Sequence, residues 1–187
     1  MRLKPETRIV GIDDASFDKC DDTVLIIGSI FRGGFWMDGM LSTYVTVDGL
    51  DATDKISEMI SGCKYQDLRI IMLAGITVGG FNVIDLPELN ERTGLPVIAV
   101  TERHPNFEKI ENALTNVSDV ETRREIMKKA GNVYAGPNNV FYQVCGMDAY
   151  TAKRVIYKTS TRSYIPEPLR VSHIIASGLS RGEPAKR

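Results

Sequence analysis

Two adjacent aspartates, Asp13 and Asp14, end a short apolar run that begins at Arg8. Divalent cations such as Mg²⁺ or Mn²⁺ prefer carboxylate oxygens, so one or two aspartates on a rigid strand end, with substrate phosphates, suffice to bind them. A bound ion of this kind activates water for attack on a phosphodiester. Neighbouring side chains of a strand point to opposite faces, so one of the two aspartates is expected to be the direct ligand. The structural alternative is a strand-end turn, where aspartate is common.

A glycine-rich polar loop follows a second buried strand, which starts at Arg69 and stops at Gly75. If this strand is the parallel neighbour of the first, the loop meets the two aspartates, because ligands bind at the carboxyl ends of such strands. The loop supplies candidate substrate contacts: Gly79, Gly80, Phe81 and Asn82. The glycines match neither the Walker nor the Rossmann spacing. Asn82 either presents its amide to a base edge or folds the loop.

Three further carboxylates have both a chemical and a structural interpretation. Asp48 and Asp51 lie in a turn before a helix, and Asp85 follows the glycine-rich loop. Asp51 is well placed to cap the helix that follows it. Asp85 precedes Leu86 and Pro87, an arrangement typical of a helix start.

Basic residues are concentrated near the C-terminus. The segment from Lys153 to Arg187 carries eight basic and two acidic residues, whereas the whole chain has a net charge of −1. This asymmetry indicates a polyanionic partner, and a solvated helical face with a frayed tail is the alternative. Arg103 and Arg170 are candidate phosphate contacts. The chain has only two histidines, and neither is assigned a role.

The composition is that of one globular domain over residues 1–187. This length suffices for a substantial core and is too short for two ordinary domains. No apolar run reaches the roughly 18 residues of a transmembrane helix, and the N-terminus lacks the apolar core of a signal peptide. The protein is therefore expected to be cytoplasmic. Three scattered cysteines suit reduced thiols.

The predicted elements indicate a mixed sheet. The first strand is followed by strands over 23–31 and 35–47, joined by a glycine turn, so this part is expected to be antiparallel. Strands and helices then alternate, which predicts an α/β domain of ribonuclease H-like architecture rather than a Rossmann fold. A final helix, from Pro166, is expected to turn four apolar side chains inward: Val171, Ile174, Ile175 and Leu179.

Several segments together resemble a largely archaeal family that is related to endonuclease V and called endonuclease dU. The segments are Gly11-Ile12-Asp13-Asp14, residues 47–53, Gly75 through Asp85, and residues 166–170. The resemblance covers nearly the whole chain. It implies a ribonuclease H-like fold and magnesium-dependent cleavage of DNA that contains deaminated bases, deoxyuridine in particular.

One position departs from the pattern of the endonuclease V relatives. Their first-strand aspartate maps onto Asp13 or Asp14, but the second, which sits before the glycine that ends the central strand, is replaced here by Ala74. Alanine cannot bind a metal. Either Asp48, Asp51 or Asp85 completes the site, or this member has reduced or altered activity.

The resemblance and the residues together predict a metal-dependent endonuclease. A flipped deaminated base would lie near the loop from Gly79 to Asn82. Flipping costs least at a mispaired base, which favours damaged sites. The alternative from another class is an inactive ribonuclease H-like protein that binds nucleic acid or nucleotides, supported by Ala74. A third hypothesis is an enzyme whose glycine-rich loop binds small phosphorylated molecules.

Overall fold

The computed structural model describes residues 4–18 and 20–181. The last six residues, which include part of the basic C-terminal segment, lie outside the described part, as do residues 1–3 and Lys19. The strands are β1 (Arg8–Asp14), β2 (Thr23–Arg32), β3 (Trp36–Thr46), β4 (Leu68–Leu73), β5 (Thr77–Val78), β6 (Asn82–Val83), β7 (Val97–Thr101), β8 (Tyr134–Ala135) and β9 (Phe141–Cys145). The helices are α1 (Ala52–Ser61), α2 (Leu86–Thr93), α3 (Phe107–Leu114), α4 (Val120–Lys129), α5 (Ala149–Thr159) and α6 (Glu167–Arg181).

Seven strands form one mixed sheet in the order β3-β2-β1-β4-β7-β9-β8. β1 pairs parallel with β4, and β2 pairs antiparallel with both β1 and β3. The predicted mixed α/β sheet is thus confirmed, and its two central strands lie parallel, which was the condition for the glycine-rich loop to meet the aspartates. Residues 77–83 form a separate small hairpin of β5 and β6, which the sequence had suggested only as a loop.

Both faces of the sheet are covered. On one face the core contains Val10, Ile12 and Ile71 together with apolar residues of α1 and α2. On the other face Ile9, Ile70 and Met72 pack with residues of α5 and α6. Successive strand residues alternate between the faces, so Asp13 lies on the α6 face and Asp14 on the α1 face. We refer to these two sides by those helices.

The prediction for the inner side of α6 is wrong at two positions. Ile174 and Leu179 are exposed, whereas the buried side carries small residues such as Ser172, Ala176 and Ser177. The reason is the close approach of α6 to β1: a Cβ at Gly11 would lie 2.3 Å from the carbonyl carbon of Pro168. Large side chains do not fit into that contact, and apolar periodicity alone does not reveal it.

Helix capping follows the sequence in part. Asp85 accepts a hydrogen bond from the Glu88 backbone N–H, and Asp148 does the same for Thr151, as N-cap residues do. Asp51 occupies the N-cap position of α1, but its side chain makes no capping hydrogen bond. Among the described helices none is long and apolar enough to cross a membrane.

Candidate functional site

The carboxyl ends of β1 and β4 bring Asp13 next to Ala74. Ile12 pairs with Leu73, and the Ala74 backbone N–H donates to the carbonyl of Ile12 at 3.0 Å. Ala74 packs against the cluster on the α6 face, the side on which Asp13 also lies. A second carboxylate at position 74 would therefore stand beside Asp13. The methyl group that replaces it leaves Asp13 as the strand-end carboxylate on this face.

His173 is a residue of the candidate site that the sequence did not single out. Its Nδ1 lies 3.0 Å from Oδ2 of Asp13. Because a carboxylate accepts, Nδ1 carries a proton, and in the neutral ring Nε2 is then an acceptor. The Ser177 hydroxyl lies 3.4 Å from Nε2. The sequence separation of 160 residues hid the pair, although a single histidine among the small and apolar residues in the middle of the helix was a usable signal.

The close packing of α6 on the sheet fixes this pair. The Ser172 hydroxyl donates to the Gly11 carbonyl at 2.6 Å and accepts from the Ser29 backbone N–H at 3.0 Å. The Ser29 hydroxyl donates to the Pro168 carbonyl at 2.6 Å. All of these groups are buried. His173 is the next residue after Ser172, so the hydrogen bonds that hold the helix also set the position of its imidazole.

Asp14 faces the other side and anchors the glycine-rich loop. Its Oδ2 accepts the Gly79 backbone N–H at 2.7 Å. Burial raises the pKa of Asp14 to about 6; the Gly79 hydrogen bond opposes this rise and the charge of Asp13 adds to it. The two adjacent aspartates thus have different partners: Asp13 faces an imidazole, and Asp14 faces a backbone amide.

Asp48 holds the same loop from the opposite direction. Its backbone N–H donates to the Gly79 carbonyl, and its Oδ1 accepts the Phe81 N–H, both at 2.8 Å. Gly80 between them has φ of +84°, and a Cβ there would lie 2.3 Å from Asp48 Oδ1. Only glycine fits this position, for both reasons.

Asp51 and Asn82 form a buried polar cluster that joins the loop to α1. Asn82 is fully buried; its amide donates to Asp51 Oδ1 and to the Thr46 carbonyl, and its Oδ1 accepts the Ala52 N–H at 3.0 Å. Asn82 therefore supplies the cap that Asp51 was expected to give. Burial raises the pKa of Asp51, but donors from Asn82 and Thr46 outweigh it and hold the pKa below its usual value.

Arg123 of α4 is a second residue that the sequence reasoning missed. It is 1% exposed, and its guanidinium donates to four carbonyls, at Ser118, Gly49, Phe81 and Asp48. It thereby joins the turn at Asp48 to the glycine-rich loop. A basic residue on a helix of low apolar content gave no sign of this role in the sequence.

Two of the candidate residues are engaged elsewhere. Asp85 caps α2, and its Oδ2 lies 2.7 Å from Nζ of Lys129. Arg170 forms a bidentate pair with Glu167, at 2.8 and 2.7 Å. The structure thus brings Asp14, Asp48, Asp51 and Asn82 together around the loop, while Asp85 and Arg170 make separate ion pairs.

A cavity of about 520 Å³ opens between the strand ends and helices α3 and α4. Its lining includes Ala74 to Thr77, Phe81, Thr101, Arg103 and Gln143. A second cavity, of about 380 Å³, shares Ala74, Thr101 and Arg103 with it and extends to Leu169 on α6. Phe81 and Arg103 thus reach the cavity as predicted substrate contacts, whereas the side chain of Asn82 is used inside the loop.

The donor set around Asp13 suits a cation that takes most of its ligands from water and substrate. Within residues 4–18 and 20–181, no group of three or more His, Cys, Asp or Glu side chains is arranged to hold a metal ion. Mg²⁺ accepts such a setting, because it keeps several waters and binds one or two carboxylates plus substrate phosphates. Asp13, on a rigid strand end, fits that role.

Comparison with known proteins places the chain among archaeal relatives. The family model described as endonuclease dU matches residues 5–180. A UPF0215 protein of Methanopyrus kandleri is 45% identical over 187 residues, which cover 97% of this chain and 95% of the relative. The crystal structure of a protein of unknown function from Archaeoglobus fulgidus superposes with a TM-score of 0.88 at 35% identity, covering 94% of this chain and 99% of that one.

More distant structures share the fold. Endonuclease V of Ciona intestinalis, in complex with DNA containing an inosine, has a TM-score of 0.60 at 13% identity and covers 94% of this chain and 84% of that chain. At this identity the likeness concerns the fold alone. It confirms the endonuclease V-like, ribonuclease H-like architecture that the sequence resemblance implied.

Proposed function

The chain belongs to the endonuclease dU family, and on that premise we propose that it is a metal-dependent endonuclease acting on DNA that contains deaminated bases, deoxyuridine in particular. One observation carries the proposal. Asp13 and His173 face each other at 3.0 Å on the strand ends, and Ala74, the sheet neighbour of Asp13, lines a cavity of about 520 Å³. That volume lies in the range of about 300–1,000 Å³ that is usual for ligand sites.

In this proposal Asp13 is the protein ligand of Mg²⁺ or Mn²⁺. The ion, when bound, supplies charge for the leaving oxygen and acidifies a water. Asp13 also holds the His173 ring through Nδ1, which leaves Nε2 able to accept a proton from water or to return one. The backbone contacts of Ser172 keep the ring in place, so little reorganisation is needed when DNA binds.

The cavity would receive the deaminated base after it leaves the stack. Flipping costs a few kcal/mol and least for a mispaired base, which favours damaged sites. Phe81 lines the cavity and offers an aromatic face. Arg103 lies at the junction of both cavities, where its guanidinium would contact the phosphate next to the flipped nucleotide.

A basic face of α5 would hold the DNA backbone. Residues 149–163 contain no acidic residue, and Lys153, Arg154 and Lys158 are exposed. The α5 helix packs on the same face of the sheet as Asp13. Neutralised phosphates release counterions, so binding should weaken as salt rises. The complex of Ciona endonuclease V with inosine-containing DNA supports a nucleic-acid substrate for this fold.

The test is a uracil-containing duplex incubated with the protein and Mg²⁺ or Mn²⁺. We expect a nick that EDTA prevents and that an undamaged duplex does not receive. A double Asp13→Ala, Asp14→Ala variant should be inactive, and Asp22→Asn, which changes an exposed aspartate, serves as the control. Undiminished nicking by the double variant would overturn this assignment of the site.

A second candidate function is favoured by Ala74 and the small donor set. An inactive ribonuclease H-like protein would bind uracil-containing DNA without cutting it in Mg²⁺, Mn²⁺ or Co²⁺. Tight binding to free nucleotides with little salt-dependent DNA binding would instead indicate an enzyme for small phosphorylated molecules.

A further inference from the structure

Gln143 is a buried amide inside the larger cavity. Its residue on β9 is 8% exposed, and it lines the cavity with Phe81 and Thr101. Its Nε2 donates to the Gly131 carbonyl at 3.1 Å. Within the described part of the chain, its Oε1 receives no hydrogen bond. Because Gln143 lines the cavity, this acceptor is available to a donor on a molecule that enters it.

The orientation of the amide is set by its neighbour. The Gly131 carbonyl can only accept, so the atom facing it is the amide nitrogen, and the oxygen points away from it. No fully buried side-chain oxygen or nitrogen among the described residues lacks a partner. Gln143 Oε1 is therefore reachable from the cavity. The register of β7 and β9, in which Ala99 pairs with Gln143, puts this side chain on the same face as Thr101.

The chemistry of deamination makes a fixed acceptor informative. Cytosine has a lone pair at N3, and adenine has one at N1. After deamination, uracil carries N3–H and hypoxanthine carries N1–H at the same places, so an acceptor in the parent base becomes a donor in the product. A protein acceptor pairs with the deaminated base and faces a second lone pair in the undamaged one. An unpaired buried polar group is costly, so the arrangement selects by rejection as well as by attraction.

We propose that Gln143 is a specificity-determining residue whose Oε1 accepts the ring N–H of a flipped, deaminated base. This inference rests on the proposed function for the occupant of the cavity. It goes beyond that function because it states which atom reads the base and why the undamaged base is refused. The hydrogen bond to Gly131 holds the amide in the one orientation that favours deaminated bases.

The experiment measures binding without cleavage. Labelled duplexes carry uracil, cytosine or N3-methyluracil opposite an abasic site, so that no base has a pairing partner to lose, and anisotropy is recorded in EDTA. The wild-type protein should bind uracil at least about tenfold more tightly than cytosine or N3-methyluracil. Equal affinity of the wild type for uracil and N3-methyluracil would overturn the inference without any variant.

Two glutamine variants separate base reading from packing. Gln143→Met should reduce the preference for uracil over cytosine to within about threefold, mainly by weakening uracil binding. Gln66→Met is the matched control, because the exposed Gln66 also donates its Nε2 to a carbonyl, that of Cys63, at 2.9 Å. It should keep the wild-type preference. A Gln143→Met protein that binds all three duplexes more weakly by the same factor, or keeps the preference, would contradict the proposal.

The outcome is separable from that of the proposed nuclease function. A wild-type protein that prefers uracil but nicks nothing in Mg²⁺ or Mn²⁺ would support the base-reading role and overturn the nuclease. A protein that nicks uracil-containing DNA but binds the uracil and N3-methyluracil duplexes with equal affinity would support the nuclease and overturn the base-reading role.

Discussion

The carboxylates on the two sides of the sheet, one on the α6 face and three on the α1 face, differ in what they contact. On the α6 face, Asp13 faces His173, a group that can move a proton. On the α1 face, Asp14, Asp48 and Asp51 accept hydrogen bonds from backbone or side-chain amides around the glycine-rich loop. Residue type is the same in both groups. The partner distinguishes the carboxylate that we propose to be reactive from those that hold the chain in place.

Adjacent aspartates contact different groups because their side chains lie on opposite faces of the sheet. Extended backbone turns Asp13 and Asp14 to opposite faces, so each meets a different set of neighbours. Substitution of the carboxylate on the α6 face should therefore change activity, while substitution of the loop-binding carboxylates and Asn82 on the α1 face should change stability. The predictions below test that division.

The largest effect is expected for Asp13→Asn. If Asp13 holds the metal and orients His173 as proposed, loss of its charge should lower nicking of uracil-containing DNA by about a thousandfold, within the range found for positioned acid–base groups. The melting temperature should change little. Single-turnover kinetics measure the nicking rate, and thermal melts measure the melting temperature. A comparable loss of activity in Asp14→Asn would remove the contrast between the two faces.

Asn82→Ala should show the opposite pattern. The fully buried amide makes three hydrogen bonds, to Asp51, Thr46 and Ala52; its loss leaves the Ala52 N–H without an acceptor and removes one donor each from Asp51 and the Thr46 carbonyl. The free energy of unfolding should fall by about 3–4 kcal/mol, measured by urea denaturation. The exposed Asn112→Ala is the control. Full stability of Asn82→Ala would mean that the loop is held by Arg123 and Asp48 alone.

Asp14→Asn should stabilise the protein at alkaline pH. The folded state raises the pKa of Asp14 from 3.8 to about 6, so the wild type is most stable while this group is protonated and loses stability as pH rises through 6. The asparagine keeps an acceptor for the Gly79 N–H. The variant should be more stable at pH 8 by up to about 3 kcal/mol, from ~1.4 kcal/mol per pKa unit, and equal near pH 4. Urea denaturation across pH in metal-free buffer measures this, and a difference that does not vary with pH would contradict it.

Gly11→Ala tests whether the close contact between α6 and β1 determines the position of His173. The added Cβ would lie 2.3 Å from the Pro168 carbonyl carbon, so the helix must shift, at a cost of about 2 kcal/mol. Nicking activity should fall as well. Gly178→Ala, on the same helix with no atom within 4 Å of the new Cβ, should be neutral or stabilising by up to about 1 kcal/mol. Equal behaviour of the two variants would exclude the role given to this contact.

The smallest effect is expected for Ala74→Asp. The new carboxylate would stand beside Asp13 on the α6 face and should lower the Mg²⁺ concentration for half-maximal nicking by about tenfold, or ~1.4 kcal/mol. Ala74→Asn is the matched control without the charge. If Ala74→Asp needs the same Mg²⁺ concentration for half-maximal nicking as the wild type, position 74 does not lie next to the cation.

Much of the frame could be predicted from the sequence. The run from Arg69 to Leu73 and the run that ends at Asp13 were expected to be strands whose polar ends meet if they lie parallel, and β1 and β4 pair in that way. The antiparallel hairpins, the cap at Asp85 and the family followed from local residue types. Such features depend on neighbours in the chain or on patterns that a single sequence carries.

Contacts between distant segments were decided by the tertiary structure. His173 could not be paired with Asp13 from the sequence, because the close packing of Ser172 on Gly11 creates that contact across 161 residues. The task of Asn82, the clamp by Arg123 and the free acceptor of Gln143 likewise depend on which groups folding leaves paired. The sequence determined which residues could do chemistry; burial and the supply of hydrogen-bond donors determined which of them are free to do it.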